Sequence, residues 1–282
     1  MLVTLREVLK DAKEKKYGVG LFNTVNLEMT KGVIQAAEEL RSPVIIGTAE
    51  VLLPYAELEE LVYFMVPMAK KASVPVVLHF DHGVTEQRIM EALKLGYTSV
   101  MYDCSTDTYE NNVKRVADMV KTAGTFGASV EAELGHVGAN EGNLGKTDAE
   151  DDSIYTQPEQ AKDFAKRTNV DALAVAIGTA HGAYKEKPRL DIGRLAEISR
   201  TIETPLVLHG GSGLSDDDFR NCVANGITKI NIFTDINCIA AKAAYENYRE
   251  GLGQTNIQNQ VIEAVKQETM KKMKVFGSVN RA

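Results

Sequence analysis

Residues 205–234 read PLVLHGGSGLSDDDFRNCVANGITKINIFT and contain one complete strand–helix–strand unit. The apolar runs PLVLHG (205–210) and KINIFT (229–234) have the length and composition of buried strands. The intervening SDDDFRNCVANG (215–226) has a helical pattern and begins with Ser215, a residue type that often caps helices. Two buried strands joined by a helix are typical of a parallel crossover.

The same alternation of strand and helix extends over most of the chain. Six further apolar runs precede the quoted unit, at 18–23, 43–47, 75–81, 99–103, 129–134 and 172–177. Eight such units in 282 residues predict a closed (β/α)₈ TIM barrel of the α/β class, with extra C-terminal helices after Tyr245. An open doubly wound sheet is the alternative, but it usually has a glycine-rich turn after its first strand, where this chain has Phe22-Asn23-Thr24. We expect one TIM-barrel domain over residues 1–282.

The composition argues against several classes of protein. Hydrophobic residues make up 44% and charged residues 25%, which is ordinary for a globular protein. The net charge of −7 disfavours a nucleic-acid partner, and no run approaches the roughly 18 apolar residues of a membrane span. The N-terminal stretch 1–16 is predicted to form an amphipathic helix and lacks the features of a signal peptide. The three cysteines have no CxxC spacing. We therefore expect a cytoplasmic protein with reduced thiols and neither a membrane nor a nucleic-acid partner.

Polar residues suited to chemistry lie at or just after the ends of the predicted strands. They are Asn23, Asp81, His82, Asp103, Glu133, His181, His209, Asn231 and Thr234. In a TIM barrel these strand ends open onto one face, which carries the active site. His82, His181 and His209 would converge there, and three imidazoles with an open position form a ligand set of catalytic zinc. For each histidine alone, a hydrogen-bonded pocket residue is an equal alternative, and His79 is assigned to packing inside the barrel.

Two aspartates accompany the predicted ligands. Asp81 directly precedes His82, so its carboxylate could transfer a proton to or from a substrate oxygen. Its alternative role is to support a histidine ligand. That supporting role suits Asp103 better, because it lies one strand further along.

Glycine-rich turns near the last strands predict an anion site. HGGSG (209–213) leads from a strand end towards a helix and exposes backbone N–H groups, and IGTAHG (177–182) forms a second such turn. Asn231 and Thr234 add side-chain donors, and phosphate sites of barrels often use the loops after the last strands. The long polar segment 135–157 is a candidate mobile active-site loop.

With these residues in place, the chain resembles the class II ketose-phosphate aldolase family, which includes the fructose- and tagatose-bisphosphate aldolases. The resemblance is carried by FNTVNLE (22–28), LHFDHG (78–83), YDCS (102–105), EAELGHVG (131–138), YTQPEQA (155–161), AIGTAHG (176–182), PLVLHGGSG (205–213), KINIFT (229–234) and the tail FGSVNRA (276–282). These motifs occur in the order of the family and cover nearly the whole chain.

The resemblance implies a role for each site residue. His82, His181 and His209 would hold one catalytic Zn²⁺, with Asp103 and Glu133 supporting them or offering alternative metal positions. Asp81 would move a proton at the hydroxyl formed from the aldehyde, and Glu141 would move the carbon-bound proton of dihydroxyacetone phosphate. The substrate-binding residues would be Asn23, Gly182, Gly210, Gly211, Ser212, Asn231 and Thr234. A zinc Lewis acid makes a Schiff-base lysine unnecessary, and a monovalent cation near the phosphate is compatible with the family.

The chain departs from the family on the side of the aldehyde. Phe233 stands where fructose-bisphosphate enzymes have an acidic residue, GTAEVLL (47–53) lacks a phosphate-binding serine, and Cys104 and Thr106 replace a small residue and a histidine. We therefore predict an aldolase that cleaves a ketose 1-phosphate into dihydroxyacetone phosphate and an atypical aldehyde, acting as a homo-oligomer (dimer or tetramer) on a sugar phosphate. The alternatives are a fructose- or tagatose-1,6-bisphosphate aldolase proper, another metal-dependent enolate enzyme, and a non-catalytic companion subunit.

Overall fold

The structure is a computed structural model that describes residues 1–137, 155–180, 182 and 188–282. The strands are β1 (Leu2–Val3), β2 (Val19–Asn23), β3 (Val44–Ala49), β4 (Val76–Gly83), β5 (Ser99–Tyr102), β6 (Ser129–Leu134), β7 (Ala172–Val175), β8 (Leu206–Leu208) and β9 (Ile227–Ile232). The helices are α1 (Leu5–Lys15), α2 (Leu27–Leu40), α3 (Leu58–Lys71), α4 (Glu86–Leu95), α5 (Tyr109–Thr125), α6 (Pro158–Thr168), α7 (Ile192–Thr201), α8 (Asp216–Ala224), α9 (Thr234–Asn247) and α10 (Gln254–Phe276).

Strands β2 to β9 form a closed parallel barrel. Neighbouring strands follow the order β4-β3-β2-β9-β8-β7-β6-β5, and the pairing of β4 with β5 closes the ring. The short β1 adds a ninth strand beside the start of β4. Helices α2 to α9 follow the eight barrel strands in turn, as βα units require. The predicted (β/α)₈ TIM barrel is therefore confirmed.

Helix α1 seals the N-terminal end of the barrel. Its apolar side chains Leu5, Val8, Leu9 and Ala12 form one buried cluster with inward-facing strand residues. The helix begins at Thr4, whose hydroxyl accepts from the backbone N–H of Glu7, while the Glu7 carboxylate accepts from the backbone N–H of Thr4. The sequence-based expectation of an amphipathic helix at this position is confirmed. With this end sealed, the polar inward-facing residues lie nearer the C-terminal end.

The strands alternate between two environments, as period-two geometry requires. On β4, Leu78 and Phe80 belong to the apolar layer between barrel and helices, whereas Val77 belongs to the inner cluster beside α1. Because side chains two apart share a face, His79 and Asp81 continue the inward row of Val77 towards the C-terminal end. The inner row thus changes from apolar to polar along the strand.

The C-terminal part departs in detail from the expectation. Strand β9 ends at Ile232, so Thr234 is the first residue of α9 and not a strand-end residue. Helix α8 begins at the predicted cap, where the Ser215 hydroxyl accepts from the backbone N–H of Asp218. Helix α10 is the additional helix expected after the barrel, and it packs against α2 and α9.

The long segment between β6 and α6 is described only at its two ends. Residues 138–154 of the predicted active-site loop lie outside the described residues. At the far end, the Thr156 backbone N–H donates to the carbonyl of Ala176 at 3.1 Å, and its hydroxyl donates to the carbonyl of Leu134. The segment therefore returns to the C-terminal ends of β6 and β7 before α6 begins at Pro158. Within the described residues, no helix is long and apolar enough to cross a membrane.

Candidate active site

Residues from distant parts of the sequence meet in one pocket at the C-terminal end of the barrel. The pocket is lined by Asn23, Asp81, His82, Gly182, Gly210, Gly211, Ser212, Asn231, Phe233 and Thr234. This set contains all seven residues predicted to bind substrate, together with one of the two predicted proton-transfer residues and one predicted metal ligand. The predicted residues His181 and Glu141 lie outside the described residues.

His82 is held in an unusual backbone conformation at the end of β4. Its φ of 43° lies in the left-handed region, and the register between β4 and β5 shifts between Phe80 and Gly83. Such irregularities re-aim side chains and are common beside active sites. The Nδ1 atom lies 2.9 Å from Oδ2 of Asp103, whose other oxygen accepts from the Ser105 backbone N–H at 3.1 Å. A ligand bond from His82 would therefore use Nε2, and Asp103 occupies the predicted supporting position.

His209 is fully buried just beyond β8, between two glutamates. Its Nε2 lies 2.9 Å from Oε1 of Glu131, and its Nδ1 lies 3.3 Å from Oε2 of Glu133. Burial alone would lower the pKa of His209, but the hydrogen bonds and charges of these two carboxylates raise it to about 10. The surroundings of this imidazole therefore favour a positive charge, whether from a proton or from a bound cation.

The two predicted ligand histidines within the described residues, together with Asp81, form a group that could hold a metal. One ligand atom from each of Asp81, His82 and His209 lies within 4.8 Å of the others, and the ring centroids of the two histidines are 4.4 Å apart. His82, Asp103 and Glu133 form a second such group. Imidazole nitrogens with nearby carboxylates match the ligand preference of Zn²⁺, so the described residues fit this ion. The prediction that His82 and His209 lie close together agrees with this geometry.

Asp81 is a buried carboxylate held by two amides. Asn23 Nδ2 donates to its Oδ2 at 2.8 Å, and Asn231 Nδ2 donates to Oδ1 at 3.0 Å. Burial alone would raise the pKa of Asp81, but the positive charge of His82 and the hydrogen bond from His79 lower it well below its usual range. Asp81 is therefore ionised and fixed in place at the pocket wall, as a residue that accepts a proton must be.

A layer of buried polar residues lies beneath the pocket. Two residues of this layer, Lys229 and Glu131, were not identified from the sequence. Lys229 Nζ lies 2.9 Å from Oε2 of Glu131, and both side chains are fully buried. His79, predicted to pack inside the barrel, is fully buried there, with Nδ1 2.7 Å from Oγ of Ser99. The sequence contained a signal for this layer, because side chains two positions apart on a strand share a face. On three strands, a polar residue lies two positions before a site residue: His79 before Asp81, Glu131 before Glu133, and Lys229 before Asn231.

The glycine-rich rim brings the chain segments after β7 and β8 into contact. Gly210 has a φ of 65°, and a Cβ atom there would lie 2.5 Å from the Ala180 carbonyl oxygen. A side chain at this position would thus force the two turns apart. Together with Gly182, Gly211 and Ser212, Gly210 forms a glycine-rich rim of the pocket that suits an oxyanion.

These features define a (β/α)₈ barrel enzyme with a candidate metal centre at its C-terminal face. The family model of class II fructose-bisphosphate aldolase matches residues 3–281. The chain is 39% identical to the fructose-bisphosphate aldolase of Thermus caldophilus over 100% of both chains. It is 37% identical to that of Staphylococcus aureus (strain Mu50) over 100% of this chain and 99% of the relative. The crystal structure of the YdjI aldolase from Escherichia coli K12 superposes with a TM-score of 0.90, at 38% identity and 100% coverage of both chains.

The protein belongs to the class II fructose-bisphosphate aldolase family. It is accordingly an aldolase, which is a carbon–carbon lyase. The family resemblance inferred from the motifs is confirmed.

Proposed function

We propose that the protein is a zinc-dependent aldolase that reversibly cleaves a ketose 1-phosphate into dihydroxyacetone phosphate and an aldehyde through an enediolate. The observation that carries this proposal is the placement of Asp81 beside His82 and His209, in a pocket with a glycine-rich rim. His82, His209 and, from the family resemblance, His181 would hold the ion. Bound zinc would supply a Lewis acid that polarises the carbonyl and hydroxyl oxygens of the substrate.

The residues of the chain account for the proton transfers. In the cleavage direction, Asp81 takes the proton from the hydroxyl at the carbon that becomes the aldehyde, and in the synthetic direction it returns that proton. The amides of Asn23 and Asn231 orient its two oxygens, which supports this assignment. By resemblance, Glu141 moves the proton on the donor carbon of dihydroxyacetone phosphate. Asp103 and Glu133 keep the imidazoles in orientation.

The phosphate of the substrate is assigned to the glycine-rich rim. Backbone N–H groups at Gly182, Gly210, Gly211 and Ser212 and the side chains of Asn231 and Thr234 are the proposed donors. Thr234 lies in the first turn of α9, where unpaired backbone N–H groups favour an anion. Neither a lysine nor an arginine is among the described residues that line the pocket, so a monovalent cation near the phosphate would complement its charge.

The lack of a lysine among the described residues that line the pocket also supports metal catalysis over Schiff-base catalysis. We expect treatment with a strong chelator to remove most activity and added Zn²⁺ to restore it. Borohydride added with dihydroxyacetone phosphate should not inactivate the protein, whereas it reduces and traps the imine of a lysine-dependent aldolase treated in parallel. Metal content by atomic absorption and residual cleavage activity are measured together. Full activity in zinc-free protein, or trapping by borohydride, would contradict the proposal.

The wall formed by Phe233 supports an atypical aldehyde. Phe233 lines the pocket together with Asp81, and a phenyl ring offers a second phosphate neither a charge nor a hydrogen-bond donor. In the segment 47–53, Glu50 accepts from the backbone N–H groups of Val84 and Thr85, at 2.8 and 3.1 Å. That segment is therefore engaged in holding the loop after β4.

We expect the protein to cleave fructose 1,6-bisphosphate less efficiently than a ketose 1-phosphate, by about tenfold or more in kcat/KM. The reason is that each missing charged hydrogen bond to the second phosphate costs about 1.5–3 kcal/mol. The measurement compares fructose 1,6-bisphosphate with a panel of ketose 1-phosphates. Proton exchange on dihydroxyacetone phosphate is the control for an intact donor site. A fructose 1,6-bisphosphate efficiency at or above that of every other ketose would refute this expectation.

The alternative is a fructose- or tagatose-1,6-bisphosphate aldolase proper. It is favoured by the relatives named fructose-bisphosphate aldolase, at 37–39% identity over the whole chain. The same substrate panel decides between the two. A non-catalytic companion subunit is disfavoured because the sequence has all three predicted ligand histidines together with Asp81 and Glu141, and zinc content together with exchange activity tests it. We further propose that residues 1–282 form one domain and that the protein assembles as a dimer or tetramer.

A further inference from the structure

Lys229 is a fully buried lysine on β9 that contacts two residues of the polar layer. Its Nζ lies 2.9 and 3.1 Å from the two carboxylate oxygens of Glu131 and donates to Oδ1 of Asn231 at 2.7 Å. An ammonium group has only donors, and it donates hydrogen bonds to Oε1 of Glu131 and to Oδ1 of Asn231. Each contacted residue in turn bonds to a residue of the candidate active site.

The first connection runs through Asn231 to Asp81. The amide of asparagine has an acceptor oxygen and a donor nitrogen, and Lys229 can bond only to the oxygen. The nitrogen must then point the other way, where it donates to Asp81 Oδ1 at 3.0 Å and Oδ2 at 3.1 Å. Lys229 therefore selects the orientation of Asn231 in which the amide stabilises the ionised Asp81.

The second connection runs through Glu131 to His209. The same Oε1 that Lys229 contacts lies 2.9 Å from Nε2 of His209. A carboxylate in this position accepts from Nε2–H, so Nδ1, which faces Glu133, would be the metal-binding nitrogen. Lys229 therefore positions the carboxylate of Glu131, which in turn positions the imidazole of His209.

The neighbours of Lys229 on the two adjacent strands are apolar. Its register partners on the neighbouring strands are Val19 and Val207, and both belong to the apolar inner cluster. An apolar residue at 229 would extend that cluster, and buried ion pairs are often no more stabilising than well-packed apolar residues. The pair of Lys229 and Glu131 therefore calls for an explanation beyond packing.

We propose that Lys229 is a positioning residue that sets, through one ammonium group, the orientation of both the metal ligand His209 and the proton-transfer residue Asp81. This inference rests on the proposed function, because it assigns Lys229 a role in organising that site. The competing explanation is that Lys229 only neutralises the buried charge of Glu131.

The test uses three variants of the full-length protein. Lys229→Met removes the ammonium and keeps a similar volume. Lys229→Met/Glu131→Gln removes both charges, so that no unpaired buried carboxylate remains if the single variant fails to fold. Lys272→Met is the matched control, because Lys272 is also buried and pairs with Asp235 at 2.6 Å, outside the polar layer. Each variant is measured for thermal unfolding, zinc affinity by chelator competition, cleavage, and proton exchange on dihydroxyacetone phosphate.

We expect Lys229→Met to bind zinc about 10- to 100-fold more weakly, as is typical when a group that orients a metal ligand is lost. Cleavage should fall further than exchange, because Asp81 also loses its oriented amide. The double variant should recover thermal stability without recovering zinc affinity. Lys272→Met should lose stability and retain the zinc affinity of the wild type.

Two outcomes would overturn the inference. One is a Lys229→Met variant that folds and binds zinc as tightly as the wild type. The other is a double variant that recovers stability and zinc affinity together, since charge balance would then explain the pair. If the wild type itself binds no zinc and exchanges no proton, it is the proposed function that fails, and the wild-type measurement separates the two failures.

Discussion

Replacement of Asp81 by alanine is expected to abolish carbon–carbon cleavage while proton exchange on dihydroxyacetone phosphate stays measurable. The carboxylate is buried and held by Asn23 and Asn231 at the pocket wall, within 4.8 Å of nitrogen atoms of His82 and His209. In the proposed mechanism it takes the proton from the hydroxyl at the bond that breaks. A general acid or base contributes a factor of about 10² to 10⁴, so the loss is easily measured. Cleavage rate, exchange rate and zinc content are determined on the same preparation.

The comparison variant is Glu141→Ala, which lies outside the described residues and whose role rests on the family resemblance. It should depress exchange strongly, and both variants should retain zinc. If Asp81 merely orients His82, the alanine variant would instead lose zinc, and near-normal exchange in Glu141→Ala would mean that Glu141 is only a solvated acid. The reverse pattern of cleavage and exchange would overturn both assignments.

Replacement of His209 by alanine is expected to remove most of the bound zinc and nearly all activity. The imidazole belongs to one of the two described histidines in the candidate metal group. Catalytic zinc usually has three protein ligands, so the loss of one leaves an incomplete ligand set. The matched control is His136→Ala. That histidine contacts Ser105 at 3.3 Å and belongs to none of the described metal groups, so the control should retain zinc.

Loss of fold must be separated from loss of metal in this variant. The change also removes the imidazole between the buried carboxylates of Glu131 and Glu133, which is expected to lower stability. Thermal unfolding with and without added Zn²⁺ distinguishes the two effects, because only a protein that binds the ion is stabilised by it. A folded His209→Ala protein with wild-type zinc content and turnover would exclude this residue as a ligand.

The sequence by itself determined the barrel. Apolar runs of strand length, alternating with helical segments, are local patterns, and each reflects the surface that one element buries. The helix cap at Ser215 was equally local and lies where the sequence placed it. The positions of Asp81, His82 and His209 at the C-terminal face followed from the rule that strand ends of a closed barrel share one face.

Local pattern was less reliable where an element ends. The run KINIFT was read as a strand through Thr234, whereas the strand ends at Ile232 and the helix begins at Thr234. The left-handed backbone of His82 was not predicted either. Both features depend on how neighbouring elements pack, and this packing cannot be inferred from a run of apolar residues.

Only the tertiary structure decided the partners of the buried polar groups. Lys229 and Glu131 are 98 residues apart, and Asn231 and Asp81 are 150 residues apart. In sequence, Lys229 is one more charged residue among apolar neighbours, and nothing local identifies the carboxylate that it meets. Closure of the barrel brings these residues together, and the cost of an unpaired charge in the interior then requires each to have a partner.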